Sequence, residues 1–179
     1  MRRRRWGVTA LFAISACALG PTRTAAGQDA PNAKVLIITT GGTIASRAGA
    51  PQTSGDSLVA AVPELLDHAQ IEVEEFIRVG SSQLTPRHWL AIAKRVNERF
   101  AADPDLMGIV ITHGTDTMDE TGFFLNLTVR DVRPVVLVGS MRTSTEISAD
   151  GPANLLNAVR VAVTPEARGM GVMLVLNED

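Results

Sequence analysis

The sequence has 179 residues, 45% of them hydrophobic and 20% charged, with 17 basic and 19 acidic side chains. That length and composition describe one globular domain with a sizeable core, and they exclude a disordered or low-complexity chain. Five of the basic residues, all arginine, fall within residues 1–26, where there is no acid. The 12 that remain face 19 acidic side chains, a balance that excludes a nucleic-acid-binding surface.

The arginines Arg2 to Arg5 precede an apolar run from Trp6 to Leu19, and small residues follow at Thr24-Ala25-Ala26-Gly27. Positive start, short apolar stretch and small-residue cleavage site together read as an export signal over residues 1–27, with residues 28–33 as a tether and residues 34–179 as the folded domain. Within the signal, Ile14-Ser15-Ala16-Cys17 resembles a lipobox, whose cysteine would carry a lipid. The other reading is that Cys17 is discarded with the apolar run. A membrane contact is therefore expected only if Cys17 is lipidated, and no second cysteine exists for a disulfide.

From Lys34 the pattern alternates between short β-rich runs and helical segments. Lys34 to Thr40 is nearly all apolar and ends in two glycines, as a buried parallel strand does. A Gly/Ser/Pro-rich loop spans Ser46 to Gly55, a helical region interrupted at Pro63 spans Asp56 to Ala69, and Ile71 to Val79 reads as a strand. Thr85-Pro86 opens a helix with Trp89, Ile92, Ala93, Val96 and Phe100 on one face, and Asp103-Pro104 ends it. Strands at Met107–Thr112, Pro134–Gly139 and Gly171–Leu176 alternate with helices at Asp119–Leu127 and Gly151–Val163. The fold class is α/β: a doubly wound, mainly parallel sheet with helices on both faces.

In such sheets ligands bind beyond the carboxyl ends of the strands. The segments expected to meet there are Gly41-Gly42-Thr43, Gly80-Ser81-Ser82-Gln83, His113 to Thr117, and Ser140-Met141-Arg142. Two glycines let the backbone turn tightly and aim N–H groups at an oxyanion, leaving Thr43 as a nucleophile or, alternatively, as a cap of the following turn. No Gly-Lys-Ser/Thr sequence follows, so a P-loop is excluded. Thr115 and Asp116 offer a hydroxyl and a carboxylate to one small molecule. The bland alternative is that Asp116 or Thr117 caps the next helix. Ser81 and Ser82 suit a carboxylate ligand, or satisfy their own loop. His113 reads as a structural hydrogen-bonding residue. No Cys/His cluster or His pair has metal spacing, so neither metal nor cofactor is expected.

Taken together, these segments resemble the bacterial asparaginase/glutaminase family. Ile37-Ile-Thr-Thr-Gly-Gly-Thr-Ile-Ala45 and Gly108-Ile-Val-Ile-Thr-His-Gly-Thr-Asp-Thr-Met118 match its two active-site signatures. Pro134 to Arg142 and Ser148 to Leu155 match further segments. The resemblance runs from about Lys34 to the end, and the export signal favours the secreted, type II branch. It implies hydrolysis of the side-chain amide of asparagine, with glutamine as a second candidate substrate, through a threonine acyl-enzyme. Thr43 would attack and Thr115 assist, Asp116 would hold the α-amino group and Ser81 the α-carboxylate. Gly42, Ser82 and Ser140 would complete the substrate-binding set, and the assembly would be a homotetramer.

The chain also departs from the family pattern. The family uses a lysine beyond the fifth strand, a lid tyrosine and an acidic residue from a neighbouring subunit's C-terminal domain. This sequence contains only Lys34 and Lys94 and no tyrosine. The expectation is an N-terminal domain without its C-terminal partner, with little turnover by itself. The competing reading is an exported, non-catalytic amino-acid-binding domain.

Overall fold

The computed structural model describes residues 32–42, 44 and 54–177. The export segment with Cys17, the tether up to Pro31, the candidate nucleophile Thr43 and most of the 46–55 loop lie outside the described residues.

Five strands form one sheet: β1 (Lys34–Gly41), β2 (Gln70–Val79), β3 (Leu106–Thr112), β4 (Val135–Val138) and β5 (Val172–Val175). Their spatial order is β2-β1-β3-β4-β5, and all four pairings are parallel. The α-helices between them are α1 (Gly55–Ala60), α2 (Pro86–Ala102), α3 (Met118–Thr128) and α4 (Gly151–Val163). The expected doubly wound α/β sheet is therefore the observed one.

Alternation along the central strands explains why both sheet faces are buried. Val35, Ile37, Val110, Val136 and Val138 point to one side and pack with Leu58 of α1 and Leu155, Ala158 and Val159 of α4. Leu36, Ile38, Ile109, Ile111 and Leu137 point to the other and meet Ile92, Val96 and Phe100 of α2 and Leu125 of α3. The predicted face of α2 is buried at Ile92, Ala93, Val96 and Phe100. Trp89 is half-buried and rests on Phe124, with ring centroids 5.9 Å apart.

Two elements are more specific than the sequence pattern. The region 56–69 is α1 followed by a separate 3-10 turn at Pro63–Asp67. Pro63 offers no N–H, and the residue before it, Val62, sits at φ −134°, ψ 71°, outside the helical basin. Strand β2 is an edge strand, half-exposed along most of its length. Its outer positions are covered by charge rather than apolar packing: Arg99 binds Glu72 at 2.6 Å and Glu74 at 3.0 Å, and Arg95 binds Glu74 at 2.6 Å. Hydrogen bonds from these guanidinium groups hold both carboxyls below the usual carboxylate range. A charged edge also resists pairing with another sheet.

Candidate functional site

The strand order reverses direction between β1 and β3, so the crevice beyond their carboxyl ends is the topological switch point. Thr40 locks the two strands together there. Its hydroxyl donates to the Thr112 carbonyl at 2.6 Å, and its N–H donates to the Thr112 hydroxyl at 3.4 Å. The chain then turns through Gly41 (φ 103°) and Gly42 (φ 86°), left-handed conformations that disfavour any other residue. Gly42 lies directly on the following loop: a Cβ built on it would come within 2.7 Å of the His113 carbonyl carbon and the Gly114 Cα. Thr43 lies outside the described residues. Ile44, the next described residue, is buried in the core beside α4.

The same interlock repeats one loop further. A Cβ on Gly114 would lie 2.5 Å from the Ser81 hydroxyl. The 3-10 turns Ser81–Gln83 and Thr115–Thr117 are stitched together there. Ser81 Oγ accepts from the Asp116 N–H at 3.1 Å, and Thr117 Oγ1 donates to the Ser81 carbonyl at 3.0 Å. Neither Asp116 nor Thr117 serves as a side-chain cap of α3, so the capping alternative does not describe these residues. Ser81 is buried, yet as an acceptor in that bond it keeps its own proton to give. Thr115 is half-buried, while Asp116 and Ser82 are exposed. Among the described residues, Asp116 has no cationic partner.

His113 is fully buried, and its Nδ1 lies 2.6 Å from the Gly114 carbonyl. A carbonyl only accepts, so Nδ1 carries a proton, while Nε2 is unpartnered among the described residues. Burial holds its pKa below the ordinary histidine value, against the pull of the Gly114 bond. The unfolded chain therefore takes up a proton at a higher pH than the folded one. Stability is complete above about pH 6.5 and declines as pH falls below it. Urea unfolding is expected to show a larger loss between pH 8 and pH 5.5 for the native protein than for His113→Gln. Equal losses would remove His113 as the cause.

The loop after β4 is held by two residues that the sequence reading passed over. Asp150 accepts from the N–H groups of Met141 and Arg142, both at 2.9 Å. Asn154 Nδ2 donates to the Gly139 carbonyl and to Asp150 Oδ2, both at 3.0 Å. The Asp-Gly-Pro order at the start of α4 suggests a helix cap, but Asp150 makes no side-chain cap bond. Ser140, expected to touch substrate, is fully buried and donates to the Arg142 carbonyl at 3.1 Å. Gly139 closes the set, because a Cβ there would lie 3.3 Å from the Thr115 methyl. Among the described residues, Gly42, the Ser81 turn and the His113–Thr117 segment meet directly, and the loop after β4 reaches them through Gly139. Neither lysine joins them: Lys34 pairs with Asp103 at the opposite end of β1, and exposed Lys94 pairs with Glu98 on α2.

The family described as "Asparaginase, N-terminal" matches residues 34–179. The L-asparaginase 2 of Bacillus subtilis is 50% identical over 163 residues, covering 84% of this chain and 42% of that protein. A glutaminase-asparaginase of Acinetobacter glutaminasificans is 47% identical, covering 81% of this chain and 46% of that protein. A probable periplasmic L-asparaginase of Haemophilus influenzae is 46% identical, covering 84% and 44%. Among solved structures, a probable cytoplasmic L-asparaginase from Campylobacter jejuni superposes with a TM-score of 0.78 at 46% identity, covering 81% of this chain and 46% of that one. The chain spans about half the length of the curated relatives it matches.

Proposed function

The chain belongs to the asparaginase family, and on that premise we propose that it supplies the substrate floor of an amidohydrolase acting on L-asparagine, and on L-glutamine as a second substrate. One observation carries this reading: Gly42 packs on the backbone of His113 and Gly114, and Gly114 packs on the Ser81 side chain, which supports a single crevice shared by the glycine turn, the Thr115-Asp116 turn and the serine turn.

In the proposed reaction the Thr43 hydroxyl oxygen attacks the side-chain amide carbon, and its proton passes to the departing nitrogen. The C–N bond breaks, ammonia leaves, and water hydrolyses the acyl-enzyme to L-aspartate. The N–H groups of the glycine turn suit the developing oxyanion, with Gly42 nearest the attacking residue in the chain. Thr115 assists from the second loop. Asp116, an exposed carboxylate without a cationic partner among the described residues, receives the substrate ammonium. The free proton of Ser81, with Ser82 beside it, serves the α-carboxylate, and Ser140 backs the floor. No cofactor or metal enters the scheme.

We also propose export through residues 1–27, with membrane attachment only if Cys17 is lipidated, and homotetrameric assembly of the whole protein. Relatives are named both periplasmic and cytoplasmic, so the compartment rests on this chain's own leader.

L-Aspartate added to the 15N-labelled 179-residue chain is expected to shift the amide signals of Ser81 to Gln83 and Gly114 to Thr117. Asp116→Ala should weaken binding at least tenfold, about 1.4 kcal/mol. Ammonia release from L-asparagine should be slow, since no lysine reaches the crevice, and what there is should vanish in Thr43→Ala. Binding without any Thr43-dependent release supports the second reading, an amino-acid-binding domain without turnover. Absence of L-aspartate binding removes both.

A further inference from the structure

Thr115 is half-buried, and its methyl group rests on Gly139: a Cβ there would stand 3.3 Å from Thr115 Cγ2 and 2.5 Å from Met118 Cε. Threonine has few χ1 choices, so parking the methyl against a neighbour also fixes where the hydroxyl points. The rotamer is then only as firm as the glycine behind it. Gly139 follows the last residue of β4, whose ladder ends with the His113 N–H donating to the Val138 carbonyl at 2.8 Å. Beyond that bond a glycine has wide backbone freedom.

What restrains it is Asn154. This residue is fully buried on α4, and both protons of its amide go to the β4 loop, one to the Gly139 carbonyl and one to Asp150. Asp150 in turn receives the N–H groups of the next two residues, Met141 and Arg142. Asn154 Oδ1 has no partner among the described residues, and a buried carbonyl oxygen left unmet is destabilising. Leucine, of similar bulk, would avoid that cost. The side chain is explained by its two donated bonds, not by its packing.

We propose that Asn154 is a positioning residue for Thr115, acting through Gly139: its amide pins the Gly139 carbonyl, and the pinned glycine holds the Thr115 methyl so that the hydroxyl faces the crevice. The proposal rests on the reading of Thr115 as the assisting threonine, but its test stands apart from that reading.

The test is the pair of three-bond couplings from Thr115 Cγ2 to its own backbone N and C′, measured in the labelled 179-residue chain. The native protein should give values of a single χ1 rotamer. Asn154→Leu, or Asn154→Asp should the first not fold, should give averaged values while the thermal melt remains cooperative. L-Aspartate affinity should fall about tenfold in the same variant. Averaged couplings in the native protein would overturn the proposal, as would a folded variant with unchanged couplings, because a merely structural role lowers Tm without freeing Thr115. A locked Thr115 in a native chain that ignores L-aspartate would leave the positioning intact and remove the substrate reading. Binding of L-aspartate with couplings insensitive to residue 154 would do the reverse.

Discussion

Gly42→Ala is expected to destabilise the fold by about 2–5 kcal/mol and to abolish L-aspartate binding. Two costs add. At φ 86° an alanine Cβ crowds its own carbonyl, at about 1–2 kcal/mol. The same Cβ would also enter the backbone of His113 and Gly114, and overpacking of this kind costs about 1–3 kcal/mol. A flexible side chain could move aside, but a peptide bond at the end of a central strand cannot. Relief would come only by parting the two loops that form the crevice, so stability and binding fail together. Gly169→Ala is the control. It has a similar φ of 80° with nothing within 4 Å of the added carbon, so it should cost about 1–2 kcal/mol by the same backbone effect and leave binding unchanged. Urea unfolding and L-aspartate titration of both variants check the pair, and equal behaviour would show that the interlock is unimportant.

Arg133→Met is expected to cost about 3–4 kcal/mol, lowering Tm by roughly 6–16 °C for a domain of this size. The guanidinium is nearly buried and lies over the Phe100 ring, 4.3 Å from its centroid. It donates to the carbonyls of Phe100 (2.5 Å), Asp103 (2.8 Å) and Leu106 (3.0 Å), and to both oxygens of Asp131. Those carbonyls belong to the last turn of α2 and the start of β3. Helix ends leave carbonyls without internal partners, and here one planar side chain from the α3–β4 connection serves them. Methionine keeps the stem but strands three acceptors and the Asp131 charge. Lysine should recover little, because an ammonium cannot span the set that a fork reaches. A thermal melt of Arg133→Met and Arg133→Lys checks this. Native-like Tm in the lysine variant would mean that charge alone suffices.

The paired glycines behind the first prediction were visible along the chain, but the loop that Gly42 packs against was not, and nothing of the second was. Arg133 sits between Val132 and Pro134 with nothing local to distinguish it, and its three acceptors are 27 to 33 residues away. Asp150 is similar: its position before Gly-Pro suggests a cap, whereas its bonds run back eight and nine residues to the β4 loop. Ser81 shows the limit in a milder form. The sequence pointed to its loop, but only the approach of Gly114 and the Asp116 N–H determines that its hydroxyl accepts from the protein and keeps a proton to donate. Ser140 went the other way, into the interior.

The amino-acid order by itself determined the strands, the helices and the positions of the glycine turn and the His-Gly-Thr-Asp turn. Period, capping residues and backbone permissiveness act within a few residues, so they can be read locally. The tertiary structure decided the strand order β2-β1-β3-β4-β5, the charged rather than apolar cover on β2, and the burial of Ser81 and Ser140. These depend on what the sheet brings alongside from tens of residues away. No local pattern encodes a bond whose partner is chosen by packing.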